Sequence, residues 1–158
     1  MTRPPFVIGV ISDTHGMLPD SALEAFADVD AIVHAGDVGD GFVLDLLEGI
    51  ARVIAVRGNN RYASEARLPI VANVKLGGVR VIVAHRASDL TGAFDPVVAG
   101  VAVAVHGHSH VPEIEVCDGV LWVNPGSPSS PHAGSPASVA LVTVSDGGLV
   151  TARLVTLP

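Results

Sequence analysis

The sequence contains little cysteine, few aromatic residues and little charge. Cys117 is the single cysteine among 158 residues, so an internal disulfide is excluded and a reducing compartment, the cytoplasm, is predicted. Aromatic residues make up 4% of the chain, and charged residues 16% against about 25% in an average soluble domain. Hydrophobic residues nevertheless reach 49%, chiefly small aliphatic ones. This composition excludes a disordered chain and predicts one folded domain over residues 1–158.

Long apolar runs and an excess of positive charge are also missing. The longest nearly uninterrupted apolar stretch, residues 97–105, is about half of what a membrane span requires. Residues 6–11 are too short for the apolar core of a signal peptide. Nine Lys and Arg against sixteen Asp and Glu give a net charge of −7, which argues against binding a nucleic-acid backbone. Binding of a small phosphate ester through metal ions remains compatible with this charge. The chain also has seven histidines beside its single cysteine, an unusual balance.

The first third of the chain has the rhythm of a parallel α/β fold. Three apolar strands are predicted at residues 6–11, 31–33 and 52–56. Helices are predicted between them, from Pro19 and Asp20 onwards and over residues 42–47 before Gly49. This alternation predicts a parallel sheet with right-handed crossovers.

The remainder of the chain favours short strands with tight turns. Strands are predicted at residues 71–76, 79–84, 101–105, 113–116, 120–123, 139–144 and 149–154, and a short helix at residues 94–99. Gly77-Gly78, Asp118-Gly119 and Asp146-Gly147-Gly148 supply hairpin turns. The predicted fold is a two-sheet α/β sandwich, parallel in its first half and largely antiparallel in its second.

Polar residues follow five of these strands at the point where each strand ends. Because ligands of open α/β sheets bind at the carboxyl ends of strands, these side chains are expected to share one edge. Asp13 and His15, like His108 and His110, would point the same way if the chain were extended. Carboxylate, imidazole and amide groups suit manganese, iron, zinc or nickel, and seven ligands suit two metals that share a carboxylate better than one. The predicted ligands are Asp13, His15, Asp37, Asn59, His85, His108 and His110.

Each of these residues taken alone has a plainer interpretation. A single histidine at a strand end is usually a hydrogen-bonded core or surface residue, and Gly-Asp or Asn-Asn pairs are usually turns. Gly36, Gly58 and Gly107 would serve tight turns and close backbone approach. The joint pattern is far more specific than any member, since all candidates follow strands in one register. His34, His106 and His132 are interpreted as structural or loop residues.

The order of these motifs resembles the calcineurin-like metallophosphoesterases. The motifs are Asp13-x-His15, Gly36-Asp37, Gly58-Asn59, His85 and Gly107-His108-Ser109-His110. The segments VISDTHG, AGDV, VRGN and VNPGS are more closely similar to the small YfcE-type phosphodiesterase branch, which also includes the retromer subunit of this fold. The resemblance extends over residues 7–127 and implies two β-sheets flanked by helices, a four-layer αββα domain.

The resemblance also implies a metal assignment and a reaction. Asp13, His15, Asp37 and His110 would hold one divalent ion, and Asp37 would bridge to a second held by Asn59, His85 and His108. Manganese is the preferred ion, with iron, zinc, nickel and magnesium as alternatives. A hydroxide bridging the metals would attack phosphorus in line, with Asn59 and Asp37 as the catalytic residues.

Three residues depart from the family's usual pattern. Asn60 and Arg61 occupy positions where the family usually has His or Cys followed by Asp or Glu, and Arg86 replaces a usual Gly. Asn60 cannot protonate a leaving alkoxide, so activated aryl esters are expected to react better than alkyl esters. All three residues are candidate phosphate-binding groups. The plainer interpretation is a solvated arginine, or one paired with Asp89 or Glu65.

Two functions of different classes follow from the sequence. The first is a metal-dependent phosphodiesterase acting on a small phosphate ester, with no membrane partner. The second is a catalytically weak metal-binding scaffold, or a protein-interaction module of the same fold, which the Asn60-Arg61 pair keeps open. A homo-oligomer is compatible with either function. The sequence lacks a P-loop, a GxSxG elbow and a dinucleotide-binding glycine pattern.

Overall fold

The computed structural model of the chain describes residues 2–93, 95–97 and 99–158. Its ten strands are β1 (Phe6–Ile11), β2 (Ala31–His34), β3 (Arg52–Ala55), β4 (Val71–Leu76), β5 (Val79–Ala84), β6 (Val103–Val105), β7 (Glu113–Cys117), β8 (Val120–Asn124), β9 (Ser138–Val144) and β10 (Val150–Thr156). Its helices are α1 (Asp20–Ala25), α2 (Gly41–Glu48) and α3 (Ala87–Ala93), and Ala63–Glu65 form a short 3-10 helix.

The strands form two five-stranded sheets. The first has the order β10-β9-β1-β2-β3 and the second β4-β5-β6-β8-β7. β1, β2 and β3 are parallel as predicted, and the last two strands return to complete the first sheet. The second half is antiparallel in most of its pairs, but the centre of the second sheet differs: β5, β6 and β8 run parallel. That arrangement brings the carboxyl ends of β5 and β6 to one edge.

Alternating side chains build the layers of the sandwich. Ile8 and Val10 of β1 face the second sheet, where they pack with Val81 and Val83 of β5. Ile11 faces outward and packs with residues of α1 and α2, whereas Ile82 of β5 faces outward toward Leu90 of α3. Helices therefore cover both outer faces, and the predicted four-layer αββα fold is confirmed.

One glycine of β1 sets how closely α1 packs on the sheet. A Cβ at Gly9 would lie 2.8 Å from the ring of Phe26, which is fully buried just after α1. The missing side chain lets the ring lie flat against the strand. α2 follows Asp40, whose side chain accepts a hydrogen bond from Phe42 N.

The helix predicted at residues 94–99 differs from the structure. Phe94 and Val98 lie outside the described residues, and the described remainder of that segment forms turns. The helix of this region is α3, which begins at Ala87. Its Ser, Asp, Thr and Gly residues are weak helix formers, so local propensity gave no signal, and burial of Leu90 against the second sheet stabilises it. No helix among the described residues has the length and apolarity needed to cross a membrane.

Candidate metal centre

Buried polar side chains concentrate at one edge of the sandwich, where β1, β2, β5 and β6 end. We call this the polar edge and define it by the residues that follow these four strands and β3. Its fully or nearly fully buried polar members are Ser12, Asp13, Thr14, His34, Asp37, Glu65 and His85. All seven predicted ligands follow these strands, so the structure brings together residues up to 97 positions apart in the chain.

The backbone reaches this arrangement through left-handed turns. Positive φ angles occur at six described non-glycine residues, and five of them are predicted ligands: Asp13, His15, Asp37, His108 and His110. The extended conformation predicted for the Asp13–His15 and His108–His110 pairs is therefore wrong. Left-handed backbone is unfavourable for residues with a Cβ and is retained at functional sites when the surroundings over-determine it. Hydrogen bonds from Asp13 N to Gly36 O and from His15 N to Asp37 O supply such constraints.

Two glycines allow the turns of the polar edge to approach one another, as predicted. A Cβ on Gly58 would lie 2.0 Å from Asp37 Oδ1, and one on Gly107 would lie 2.0 Å from Ser12 Oγ. Any side chain at either position would displace a neighbouring turn. The glycines therefore allow the Asp37 carboxylate and the Asp13 turn to pack against backbone.

Asp13 has one fixed oxygen and one unpartnered oxygen. Its Oδ2 accepts hydrogen bonds from Ser12 Oγ at 2.6 Å and from His108 N at 3.0 Å. Its buried Oδ1 has no hydrogen-bond donor, yet Nε2 atoms of His110, His15 and His85 lie 3.2, 3.8 and 3.8 Å away. A buried carboxylate oxygen facing three imidazoles is where a cation would satisfy the site.

Asp37 lies beside Asp13 and reaches the same imidazoles. Its Oδ2 lies 3.2 Å from His85 Nε2 and 3.9 Å from His15 Nε2. Asn60 orients the carboxylate, donating from its backbone N to Oδ1 at 3.1 Å and from Nδ2 to Oδ2 at 2.7 Å. Asn59 Oδ1 lies 2.8 Å from His85 Nε2 and 3.0 Å from His108 Nδ1. Asp37 thus contacts both halves of the predicted ligand set.

Carbonyl groups on the far side of two rings orient their free nitrogens. His85 Nδ1 donates to Ala35 O at 2.8 Å, and His110 Nδ1 donates to Ser130 O. By this assignment from the hydrogen-bond network, both neutral rings present an unprotonated Nε2 to the aspartates. His15 Nε2 lies only 3.3 Å from His110 Nε2, an unfavourable contact of lone pairs unless a proton or cation lies between them.

The donor set and its geometry fit divalent cations. Ligand atoms of Asp13, His15 and His110 lie within 4.8 Å of one another, as do those of Asp13, Asp37 and His85. Asp13 belongs to both groups and Asp37 to the second alone, so the carboxylate that the two groups share is Asp13 and not the predicted Asp37, and His108 belongs to neither group. Mixed carboxylate and imidazole ligands suit manganese, iron or zinc.

The surroundings of the polar edge keep the Asp37 carboxylate charged and shift the pKa values of His85 and His108 in opposite directions. Burial alone would raise the pKa of Asp37, but hydrogen bonds from the protonated His85 ring and from Asn60 outweigh it and hold that pKa well below its usual range. Burial alone would lower the pKa of His85, but its contact with Asp37 and the charge of Asp13 raise it. Burial and the neighbouring His85 and Arg86 lower the pKa of His108. Opposed shifts of this kind are typical of functional sites.

The three histidines interpreted as structural lie away from the ligand atoms. His34 is fully buried; it donates from Nε2 to Thr14 Oγ1 and accepts from Gly36 N at Nδ1. His106 stacks edge-on against Trp122, and His132 is exposed. Through these bonds His34 joins the turn that carries Asp13 to the turn that carries Asp37. Its position at the end of a strand did not indicate this role.

The three candidate phosphate-binding residues have different surroundings. Asn60 contacts Asp37 as described, whereas Arg61 and Arg86 are exposed. Over the described ranges neither arginine forms an ion pair, so the predicted alternative pairing with Asp89 or Glu65 is not observed. Arg86 follows His85 directly, and its exposure fits a solvated arginine as well as a phosphate-binding one.

Several residues at the polar edge carried no recognisable signal in the sequence. Ser127 Oγ donates to Asp13 O, and Asn124 Nδ2 donates to Gly107 O and Ser109 Oγ. Tyr62 and Glu65 contact the site from the segment that follows Asn59. The VNPGS segment carries part of the family resemblance. The roles of Asn124 and Ser127 depend on strand pairing that brings residue 127 close to residue 13.

The family model of the calcineurin-like phosphoesterase superfamily domain matches residues 6–147, nearly the whole chain. The chain belongs to this superfamily. The predicted family is thereby confirmed. Membership of this family implies divalent metal ions, and the residues grouped above are candidates to bind them.

Named relatives support the small phosphodiesterase branch. The chain is 39% identical over 138 residues to a probable metallophosphoesterase of Methanocaldococcus jannaschii, covering 80% of this chain and 70% of that one. It is 35% identical over 156 residues to phosphodiesterase YfcE of Escherichia coli, covering 83% and 84%. A predicted phosphoesterase of Streptococcus pneumoniae has the same fold, with a TM-score of 0.77, 26% identity and coverage of 98% and 91%.

A protein solved in complex with a peptide also has this fold. Vps29 of Chaetomium thermophilum, solved with a bound cyclic peptide, aligns with a TM-score of 0.70 over 98% of this chain and 97% of that one. The identity is 20%, so this likeness concerns the fold alone.

Proposed function

We propose that this superfamily member is a phosphodiesterase that hydrolyses a small phosphate ester with two divalent cations at the polar edge. Asp13, His15, Asp37 and His110 would hold one cation, and Asp37, Asn59, His85 and His108 the other. The observation that carries the proposal is Asp13 Oδ1, which is buried without a hydrogen-bond donor and is faced by three imidazole Nε2 atoms. Homologues named phosphoesterases support hydrolysis in general.

The bound cations would neutralise phosphate oxygens and lower the pKa of a coordinated water, so that hydroxide is available for in-line attack near neutral pH. The protein's own residues position that chemistry. Hydrogen bonds from Ser12 Oγ and His108 N hold Oδ2 of Asp13 in place. Hydrogen bonds from Asn60 hold both carboxylate oxygens of Asp37. Fixed ligands stabilise developing charge without reorganising, which is the main requirement of phosphoryl transfer.

Solvent-facing residues would receive the substrate. Asn59 and His108 are exposed, so the second cation's ligands border solvent where an ester could approach. Arg86, next to His85, would bind a non-bridging phosphate oxygen, and Arg61 would extend the cationic rim. Manganese is the proposed ion, and residues 1–158 are proposed to act as a single domain in the cytoplasm.

The leaving group is proposed to be activated. Asn60 occupies the position where a protonating residue would stand, and its backbone N and its side-chain Nδ2 each donate a hydrogen bond to Asp37. A residue that supplies the leaving-group proton typically contributes about 10²–10⁴-fold to rate. Esters of acidic alcohols, such as nitrophenols, depend least on that proton.

The test combines metal binding with hydrolysis. Chelator-treated protein is titrated with MnCl₂ by calorimetry, and bis(4-nitrophenyl) phosphate and a dialkyl phosphate are compared as substrates. We expect two manganese ions per chain and at least about a hundredfold faster hydrolysis of the aryl ester than of the alkyl ester. Equal hydrolysis of both esters would contradict the leaving-group proposal. Manganese binding without hydrolysis would favour the metal-binding scaffold, and absence of both would favour the protein-interaction module.

A further inference from the structure

One short segment, residues 60–65, contacts three separate turns of the polar edge. We call this segment the clip. It follows β3 and ends in the 3-10 helix Ala63–Glu65. Asn60 at its start holds the Asp37 carboxylate, as described above. The other contacts of the clip involve Tyr62, Ser64 and Glu65, which are not proposed ligands.

Tyr62 touches the far side of a ligand ring. Its hydroxyl lies 2.9 Å from His15 Nδ1, and the two rings meet edge to face with centroids 6.1 Å apart. His15 Nε2 faces Asp13 and Asp37. If Nε2 is to accept a cation, the proton of the neutral ring must sit on Nδ1, where it would be donated to the Tyr62 oxygen. The Tyr62 hydroxyl can accept that proton, so with a cation bound it would hold the ring with its Nε2 lone pair toward the aspartates.

Glu65 and Ser64 tie two turns together. Glu65 is fully buried, and its carboxylate accepts from Gly58 N at 3.0 Å and from Gly39 N at 3.5 Å. Gly58 directly precedes Asn59, and Gly39 follows Asp37 by two residues. Ser64 Oγ donates to Gly39 O at 2.7 Å. A buried carboxylate with two backbone donors therefore joins the turn that carries Asp37 to the turn that carries Asn59.

We propose that Tyr62 and Glu65 are positioning residues: through the clip they hold His15, Asp37 and Asn59 in the geometry that binds the two cations. This inference rests on the proposed function. The clip is needed because His15 and Asp37 adopt left-handed backbone, which persists only where contacts over-determine it. Groups that orient metal ligands typically change metal affinity or activity about 10–100-fold when lost.

The decisive variant is Tyr62→Phe, which removes one hydroxyl from a partly exposed ring. We expect manganese affinity to fall about tenfold and kcat to fall with little change in KM, while the melting temperature of metal-free protein is retained. Thr151→Val, which removes an exposed hydroxyl from β10, is the control and should leave all three values unchanged. If Tyr62→Phe protein binds manganese as tightly as the original chain does, the positioning role of Tyr62 is overturned and the proposed function is left intact.

A measurement on metal-free protein makes the test independent of metal. Long-range ¹H–¹⁵N spectra report which ring nitrogen of His15 carries the proton. We expect one dominant tautomer of His15 in the original chain, because Nδ1 bonds to the Tyr62 hydroxyl, and a mixture of tautomers in Tyr62→Phe. Identical spectra overturn the role of Tyr62 even if the chain binds no manganese, a result that would overturn the proposed function separately.

Glu65→Gln tests the second part of the clip. The amide keeps the shape of the side chain but replaces one acceptor with a donor facing a backbone N–H. We expect manganese affinity to fall at least tenfold. Glu48→Gln, an exposed position in the last turn of α2, is the matched control. Glu65→Gln protein that folds and binds manganese normally overturns the positioning role of Glu65; if the variant does not fold, Tyr62→Phe alone decides the proposal.

Discussion

Left-handed backbone occurs at both ends of the sandwich, but the residue types that adopt it differ. At the end opposite the polar edge, left-handed residues are mainly glycines of hairpin turns, such as Gly77, Gly78, Gly147 and Gly148. At the polar edge, aspartates and histidines adopt left-handed backbone alongside glycines such as Gly36 and Gly39. Glycine adopts this conformation without a steric penalty, whereas other residues pay roughly 1–2 kcal/mol each. Strain is thus retained where the side chain is needed and avoided where only a turn is needed.

Asp118 makes the comparison sharper. It is the one described non-glycine residue with positive φ that lies away from the polar edge, in the turn between β7 and β8, and it is followed by Gly119. Asp37 has nearly the same φ, 54° against 50°, but its carboxylate is buried among hydrogen-bond donors. The same residue type in the same conformation therefore serves a turn at one end and a charged cluster at the other.

The largest expected effect is that of the same substitution at both ends. Asp37→Asn removes the charge that both proposed cations share, so we expect manganese-dependent hydrolysis to fall by more than about a hundredfold, beyond the loss typical of orienting groups. Asp118→Asn should leave hydrolysis unchanged. Rates with bis(4-nitrophenyl) phosphate and calorimetric metal binding provide the measurement. Undiminished hydrolysis by Asp37→Asn protein would refute the metal assignment.

Alanine at a glycine of each end gives the next largest effect. A Cβ at Gly58 would overlap Asp37 Oδ1 at 2.0 Å, so Gly58→Ala should lower the free energy of unfolding by about 3 kcal/mol or more and abolish hydrolysis. Gly78 has open space around it but a φ of 89°, so Gly78→Ala should lower stability by only about 1 kcal/mol and preserve hydrolysis. Urea unfolding of both variants tests this; similar losses would show that the close approach at Gly58 is unimportant.

The third prediction concerns pH, and its expected effect per pH unit is smaller than the losses expected for Asp37→Asn and Gly58→Ala. Burial, with a contribution from His85, lowers the pKa of His34 from 6.5 to about 3. Between these values the unfolded chain binds a proton at His34 that the folded chain does not. Stability should therefore fall as pH falls from 6.5 toward 3, by up to about 1.4 kcal/mol per pH unit from this residue.

The variant His34→Asn isolates that contribution. It should flatten the decline of unfolding free energy between pH 6.5 and 4, although it lowers stability at pH 7 by removing two hydrogen bonds. His132→Gln, in an exposed loop, is the control and should leave the slope unchanged. An unaltered slope in His34→Asn protein would show that His34 takes up its proton in the folded state.

Much of the polar edge could be predicted because strands and their ends are visible in the sequence. Uninterrupted apolar runs located β1 and β5, and the polar residues after them identified Asp13 and His85 as candidates. The conformation of the turns could not be predicted this way, since left-handed φ at Asp13 and His15 depends on hydrogen bonds to the turn after β2. Helix α3 escaped prediction because its residues favour helix weakly and packing stabilises it.

The sequence by itself determined the alternation of buried strands, the family and the set of candidate ligands, because these depend on local residue pattern and motif order. Tertiary structure alone decided which atoms meet. Asp13 Oδ1 faces three histidines, and Glu65 joins two turns, only because the sheets place the ends of β1, β2, β3, β5 and β6 together. Such contacts join residues far apart in the chain, and short-range sequence pattern carries no information about the distance between them.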